Sequence, residues 1–249
     1  MEGMPRVTLV PNIRPVQLPE ARQAIPHVHA YLRECILDGT LKPGTKLSQV
    51  SLARQLGISR TPLREVLRML QEEGLVEIEP NQRTRVAGLD PQELDDIYAT
   101  RILQETLALS MTIGGFGSGL RDEAERLLAT LRAAAKDGDF TAWFAAHGDY
   151  HRLLTSGAGE AMQRRLRVLA DRTIRYIRIY QLSEPDDWQT VGDEEHARIL
   201  EALVAGDERA ALSGMGRHLA RTALRVLGDC APDYAPVAVP HALALIDRD

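Results

Sequence analysis

Apolar residues recur at helical spacing along most of this 249-residue chain, and the exceptions are short and local. In IPHVHAYLRECILD (25–38), Val28, Leu32, Cys35 and Ile36 share one face and predict a helix ended by Gly39. LKPG (41–44) reads as a turn. SQVSLARQL then predicts a second helix, capped by Ser48 and closed by Gly57. A third begins with Ser59 or Thr61 as cap and Pro62 in its first turn, where a missing N–H costs nothing. Its buried stripe is Leu63, Val66, Leu67 and Leu70, at i, i+3, i+4 and i+7, and Gly74 stops it. LVEIE and TRVAG follow as a hairpin around Pro80-Asn81-Gln82. Two short helices across a tight turn with a two-stranded wing behind them predict a winged helix-turn-helix, which places one helix in a DNA major groove.

After Leu89-Asp90-Pro91 the rhythm is helical almost without interruption, with helices expected near 92–113, 120–136, 139–156, 160–182, 188–205 and 207–228. Such a chain packs as an antiparallel all-α helical bundle. The fold class is therefore mainly α, in four segments. Residues 1–20 form a flexible, proline-bearing arm, 21–90 the winged helix-turn-helix and 91–230 the bundle. The tail, 231–249, ends in an apolar stretch, HALALI, suited to dock on the bundle or on a partner subunit. GGFGSG (114–119) follows a helix and precedes Leu-Arg, so it is a connector and not a phosphate loop.

Composition narrows the setting. The chain is 44% hydrophobic and 26% charged, as soluble globular proteins are. No apolar run reaches the ~20 residues that span a bilayer, and the start lacks a signal peptide's apolar stretch. Cys35 and Cys230 build no disulfide framework, so a reducing cytoplasm is expected. The net charge of −5 is unevenly spread: residues 21–90 hold 10 Lys+Arg against 8 Asp+Glu, whereas 91–249 hold 18 against 25. DNA contact needs local positive potential, not a basic whole chain.

On the third helix, Arg60, Arg64 and Arg68 stand at i, i+4 and i+8, opposite the core stripe. Arginine grips guanine O6 and N7 with two hydrogen bonds, worth ~1–3 kcal/mol of base discrimination. The helix start enters the groove first, so Arg60 and Arg64 are the expected base readers and Arg68 a flanking contact. Ser59 and Thr61 suit phosphate oxygens, and Arg83 and Arg85 on the wing suit the minor groove or backbone. The alternative is a solvated basic stripe paired with Glu65 and Glu72.

KPGTKLSQVSLARQLGISRTPLREVLRMLQEEGLVEIEPNQRTRV resembles the N-terminal domain of GntR-family transcriptional regulators, with the run PG-x-x-L, LA-x-x-LG, SR-TP and GLV in register. Two departures stand out. Arg83 occupies a wing-turn position that is glycine in many members, and Val50 aligns with a DNA-contacting arginine of the acyl-CoA-responsive members. The resemblance implies a homodimer on a pseudo-palindromic, double-stranded operator.

The bundle carries His147, His151, His196 and His218. The first two are i, i+4 on one helix, a common metal-chelating spacing, while His196 begins a later helix and His218 sits late in the next. Three helices of a bundle can aim four such side chains at one point. From spacing alone, surface or satisfied core histidines are the commoner reading. Residues 92–228 resemble the FCD ligand-binding domain of the FadR subfamily through DDIYATRILQE, HGDYHRLL and EEHARILEALVAGDERAA…HL. That resemblance implies a metal held by an aspartate and three histidines, at the positions of His147, His151, His196 and His218. His147 stands where aspartate is usual, and Asp149 points from another side of the helix. Four neutral nitrogens favour Zn or Ni over Mg or Ca. Arg101 aligns with the family's arginine near the effector pocket and implies a clamp for a small carboxylate metabolite; on its own spacing it is equally a partner for Glu105. The reading is a DNA-binding transcriptional regulator, in the repressor mould, controlled by a small organic acid. A metal-sensing regulator is one alternative. A metal-dependent hydrolase is another, weakened by the fourth ligand and by the lack of a paired general base beyond Asp149.

Overall fold

The computed structural model describes residues 13–15, 24–78, 84–88, 90–183 and 185–247, with only the backbone at 140, 175, 178–183 and 185–190. Most of the arm expected at 1–20, and the wing tip with Arg83, lie outside the described residues. The chain divides into two compact units, residues 1–89 and 90–249.

In the first unit, α1 (Ala24–Leu37) packs on α3 (Arg60–Glu72), and α2 (Gln49–Leu56) crosses α3 through a three-residue turn. Gly57 makes that turn possible. It sits at φ 72°, where a side chain strains the backbone, and its N–H closes α2 on the carbonyls of Ala53 and Arg54. Ser48 caps α2 as expected, accepting from Ser51. The cap of α3 differs from expectation: Ser59 has cap geometry, but its hydroxyl makes no capping bond. Leu63, Val66, Leu67 and Leu70 are all fully buried, so the stripe read from spacing is the core face. The wing has three strands, not two. β1 (Lys46–Leu47), inside the stretch after the LKPG turn, adds to β3 (Thr84–Val86), which also pairs with β2 (Val76–Ile78). Both pairings are antiparallel, with Leu47 opposite Thr84 and Glu77 opposite Arg85. A two-residue strand carries too little alternation to be read from sequence.

The second unit is all helix: α4 (Pro91–Ile113), α5 (Ser118–Asp137), α6 (Phe140–Leu154), α7 (Glu160–Ser183), α8 (Pro185–Ala205), α9 (Glu208–Cys230) and α10 (Ala238–Ile246). Asp90 caps α4 through Gln92 and Glu93, with Pro91 at its start. Asp139 and Asp207 cap α6 and α9 in the same way. His196 is inside α8, which starts eleven residues earlier, rather than at a helix start.

Two contacts fasten α4. Near its start, buried Asp95 accepts the backbone N–H groups of Val237, Ala238 and Val239 at 2.8–2.9 Å and the Tyr234 hydroxyl at 3.1 Å. The tail therefore ends as a helix docked on α4 and α9 of its own chain, with Val239 and Ala242 buried. At the far end, the Gly157 N–H bonds to Thr112 Oγ1 at 2.9 Å. A Cβ at 157 would stand 2.7 Å from the Thr112 nitrogen and closer still to the Met111 carbonyl, so only glycine permits this approach.

Candidate functional site

The outer face of α3 presents Arg60, Thr61 and Arg64 to solvent, with Ser59 exposed just before them. Arg68, on the same face, is already committed to two carboxylates: Glu65 at 2.7 Å and Glu72. The pairing that spacing allowed is thus realised at Arg68. Arg85 is exposed on β3 and donates to Glu77 across the ladder at 2.7 Å. Val50, half-exposed at the start of α2, puts an apolar group on the surface of the helix-turn-helix.

In the bundle, the four histidines converge. His147 and His151 come from α6, His196 from α8 and His218 from α9, and one ring nitrogen from each lies within 4.8 Å of the others. Neighbouring ring centroids are as close as 4.6 Å (His147–His151) and 4.5 Å (His196–His218). His151, His196 and His218 are buried, and Trp143 stacks on His147 at 4.7 Å. The Nε2 atoms of His151 and His196 are buried with no hydrogen-bond partner. Buried polar atoms are seldom left unpaired, so these two orphaned ring nitrogens mark the cluster as a group that could hold a metal ion.

Electrostatics keep three of the four rings neutral. Burial, then the neighbouring imidazoles, hold His147 and His196 well below the usual histidine value. Burial takes His218 down to about 4, against the pull of Glu195. The lone pairs of these rings are therefore free at neutral pH. A tetrahedral Zn²⁺ with bonds of 2.0–2.1 Å needs nitrogens about 3.4 Å apart. The rings stand slightly open of that, within reach of side-chain rotation. An all-imidazole donor set suits Zn²⁺, Ni²⁺ or Cu²⁺. Asp149 is not in the cluster; it pairs with Arg152 at 2.9 Å.

Beside the histidines lies a cavity of about 250 Å³. Its buried polar end is made by Arg101, Glu105, His147, His151 and Thr173, and its exposed rim includes Arg152 and Arg167. Phe144, Leu166, Ile174 and Ile177 supply apolar wall between them. Arg101 reaches this cavity while donating to Glu105 at 2.7 Å and Thr173 at 2.9 Å, and its guanidinium lies 5.2 Å from the Tyr98 ring centre. The pairing with Glu105 that its spacing allowed is realised, and the same side chain lines the cavity. Burial pushes the Glu105 carboxyl up, but Arg101 and His151 outweigh it and bring it to about 2.

Sequence reasoning missed Glu195, Arg221 and Thr173. Glu195 lies 2.8 Å from His218 Nδ1 and accepts from Arg221 at 2.6 and 2.7 Å. Glu195 adjoins His196 in the chain yet serves His218, a pairing across α8 and α9 that no spacing reveals.

Comparisons with known proteins agree with this layout. The family model "Bacterial regulatory proteins, gntR family" matches residues 25–86, and the "FCD domain" model matches residues 96–221. An HTH-type transcriptional regulator from the TAR-I ttuE–ttuC' intergenic region of Agrobacterium vitis is 32% identical over 133 residues, covering 52% of this chain and 77% of that protein. The HTH-type transcriptional repressor GlaR of Escherichia coli is 28% identical over 199 residues, covering 77% and 90%. The solved structure of E. coli McbR/YncC superposes with a TM-score of 0.71 over 83% of this chain and 98% of that one, at 22% identity, which shows a shared fold.

Proposed function

The chain belongs to the gntR family of bacterial regulatory proteins and carries an FCD domain, and on that premise we propose a metal-anchored sensor of a small organic acid. It is a DNA-binding transcriptional regulator, not an enzyme: the relatives and solved structures it matches are regulators. Regulators of this kind pair, bind operators and take small-molecule effectors. No helix among the described residues is long and apolar enough to cross a membrane. A cytoplasmic location belongs to the proposal, as does a repressor's sign of action, for which the E. coli relative's name is the support.

The observation that carries the reading is the histidine cluster beside a cavity that Arg101 also faces. His147, His151, His196 and His218 would hold a divalent ion, Zn²⁺ or Ni²⁺, and a carboxylate would join it as an additional ligand by expansion of the four-nitrogen shell. Arg101 provides the second point of attachment and Thr173 steadies its guanidinium. The apolar wall of Phe144, Leu166 and Ile177 accepts a hydrocarbon body. With four neutral ligands the ion keeps its full charge, which favours an anionic effector.

Arg60 and Arg64 read bases, Ser59 and Thr61 position phosphates, and Arg85, with Arg83, reaches the neighbouring groove or backbone. Arg68 contributes less, because Glu65 and Glu72 already neutralise it. Two such heads in a homodimer read a pseudo-palindromic site. Effector binding is allosteric if it favours one arrangement of the heads, and ~1–3 kcal/mol of coupling suffices.

The test is elemental analysis of the purified full chain, with thermal-shift measurements on a panel of small carboxylic acids, with and without chelator. About one metal per chain, and an acid whose stabilisation disappears on chelation, is the expected result. Acids that bind regardless of chelator would remove the metal and leave Arg101 as sole anchor. No shift with any acid would end the acid-sensing reading. The closed four-nitrogen set also suits a metal-sensing regulator, in which DNA affinity follows metal alone and acids have no effect.

A further inference from the structure

Two chains of contact converge on the histidines from opposite sides. On α4, Arg101 Nε donates to Glu105 Oε1 at 2.7 Å, and Glu105 Oε2 faces His151 Nδ1 at 3.0 Å. Across α8 and α9, Arg221 donates twice to Glu195, at 2.6 and 2.7 Å, and Glu195 Oε2 faces His218 Nδ1 at 2.8 Å. Each is an Arg–Glu–His relay, and the two share no residue. Among the described residues, no carboxylate contacts His147 or His196.

An ionised carboxylate can only accept, so both facing Nδ1 atoms must carry the proton. A neutral imidazole protonated at Nδ1 has its lone pair at Nε2. For His151 that atom is buried and without a partner. The arginines matter because a carboxylate held by a guanidinium cannot swing away from its histidine.

We propose that Glu105 and Glu195 are positioning residues of the metal centre, each fixing the Nδ1–H form of its histidine so that Nε2 of His151 and of His218 faces a divalent transition-metal ion. The proposal rests on reading the cluster as a metal centre. It divides the four ligands into two braced by carboxylates and two that are not. It also assigns the acidic groups a task beyond neutralising Arg101 and Arg221, because a carboxylate on a ligand imidazole raises the basicity of the donor nitrogen. Outer carboxylates of this kind are worth about 10–100-fold in metal affinity.

The experiment titrates Co²⁺ into chelator-stripped full-length protein and follows its visible absorption. Wild type, Glu105→Gln, Glu195→Gln and the surface control Glu194→Gln are compared, Glu194 being exposed and paired along its own helix with Arg198. Wild type and the control should bind alike, and the two test variants about 10–100-fold more weakly with an altered band shape. Long-range ¹H–¹⁵N spectra of the stripped wild type read the tautomers directly and do not depend on variants that fold. His151 and His218 should both carry the proton on Nδ1; protonation at Nε2 in either overturns the proposal. Cobalt binding in the test variants as tight as wild type overturns it while leaving the metal centre standing. A wild-type protein that takes up no cobalt overturns the metal reading and this proposal with it.

Discussion

Removing the Asp95 carboxylate should release the C-terminal helix, and the structure allows the effect to be sized. The carboxylate is wholly buried and receives three backbone N–H groups at the start of α10, together with the Tyr234 hydroxyl. A hydrogen bond to a charged acceptor contributes about 1.5–3 kcal/mol, so three amides set a gross loss of roughly 5–9 kcal/mol. The amides can turn to water if α10 lifts, which caps the observed loss at the value of docking. Docking buries Val239 and Ala242, and a fully buried valine contributes about 2 kcal/mol. The expected net cost of Asp95→Ala is therefore about 2–4 kcal/mol. Asp95→Asn is the sharper test. It is isosteric, but it removes the charge and turns an N–H₂ toward amides that also donate. It should cost nearly as much as alanine. Urea unfolding gives the global loss, and amide exchange across 234–247 gives the local one, expected to rise roughly 30-fold or more. An Asn variant within about 0.5 kcal/mol of wild type, with protection of 237–239 unchanged, would refute the charged-cap argument.

Other expectations concern single sites. The carboxyl of Asp95 is lowered because its amide partners outweigh the effect of burial, so its contribution is complete above the ordinary carboxylate value near ~3.9 and lost as pH falls through its lower folded value; the protection of α10 amides, corrected for the intrinsic pH dependence of exchange, should be flat from pH 6 to 5 and fall only in strong acid. Arg64→Ala should weaken binding to an operator selected from random sequence by roughly 5- to 150-fold, measured by anisotropy, with the bundle's melting unchanged. Unaltered operator affinity would take Arg64 off the reading face. Gly157→Ala should lower stability by about 1–3 kcal/mol in thermal melts, because the new methyl meets backbone that cannot turn aside. A neutral result would show that the α6–α7 turn gives way. His196→Ala should lower metal content and melting temperature together; if neither changes, the cluster does not hold metal.

Periodicity exposed the helices because nearly every one buries a stripe long enough to repeat, as Leu63 to Leu70 do on α3. β1 was invisible for the opposite reason: two residues cannot alternate. The histidines were legible as a pair through i, i+4 spacing, and the resemblance supplied the other two. What no spacing could supply was the acids behind them. Glu105 was visible as a helical partner of Arg101, but its second contact, with His151, joins α4 to α6. Glu195 meets His218 and Arg221 only because α8 and α9 lie side by side. Docking of the tail depends on Asp95, a single acid in a helix rich in them, and nothing in DDIYATRILQE distinguishes it from Asp96 beside it. Contacts across helices are set by packing, and a pattern along the chain carries them only when the partners share an element.

The two fastenings of α4 make it a beam rather than a sliding rod. Its first turns are gripped through Asp95 by the start of α10, and its last turn is stitched through Thr112 to a glycine that leaves no slack. Arg101 and Glu105 stand between these supports. A ligand that tugs on the guanidinium therefore finds a member that can twist about its long axis or bow, but whose axial travel is blocked at both ends. Torque, not translation, is the motion that these two fastenings leave to α4.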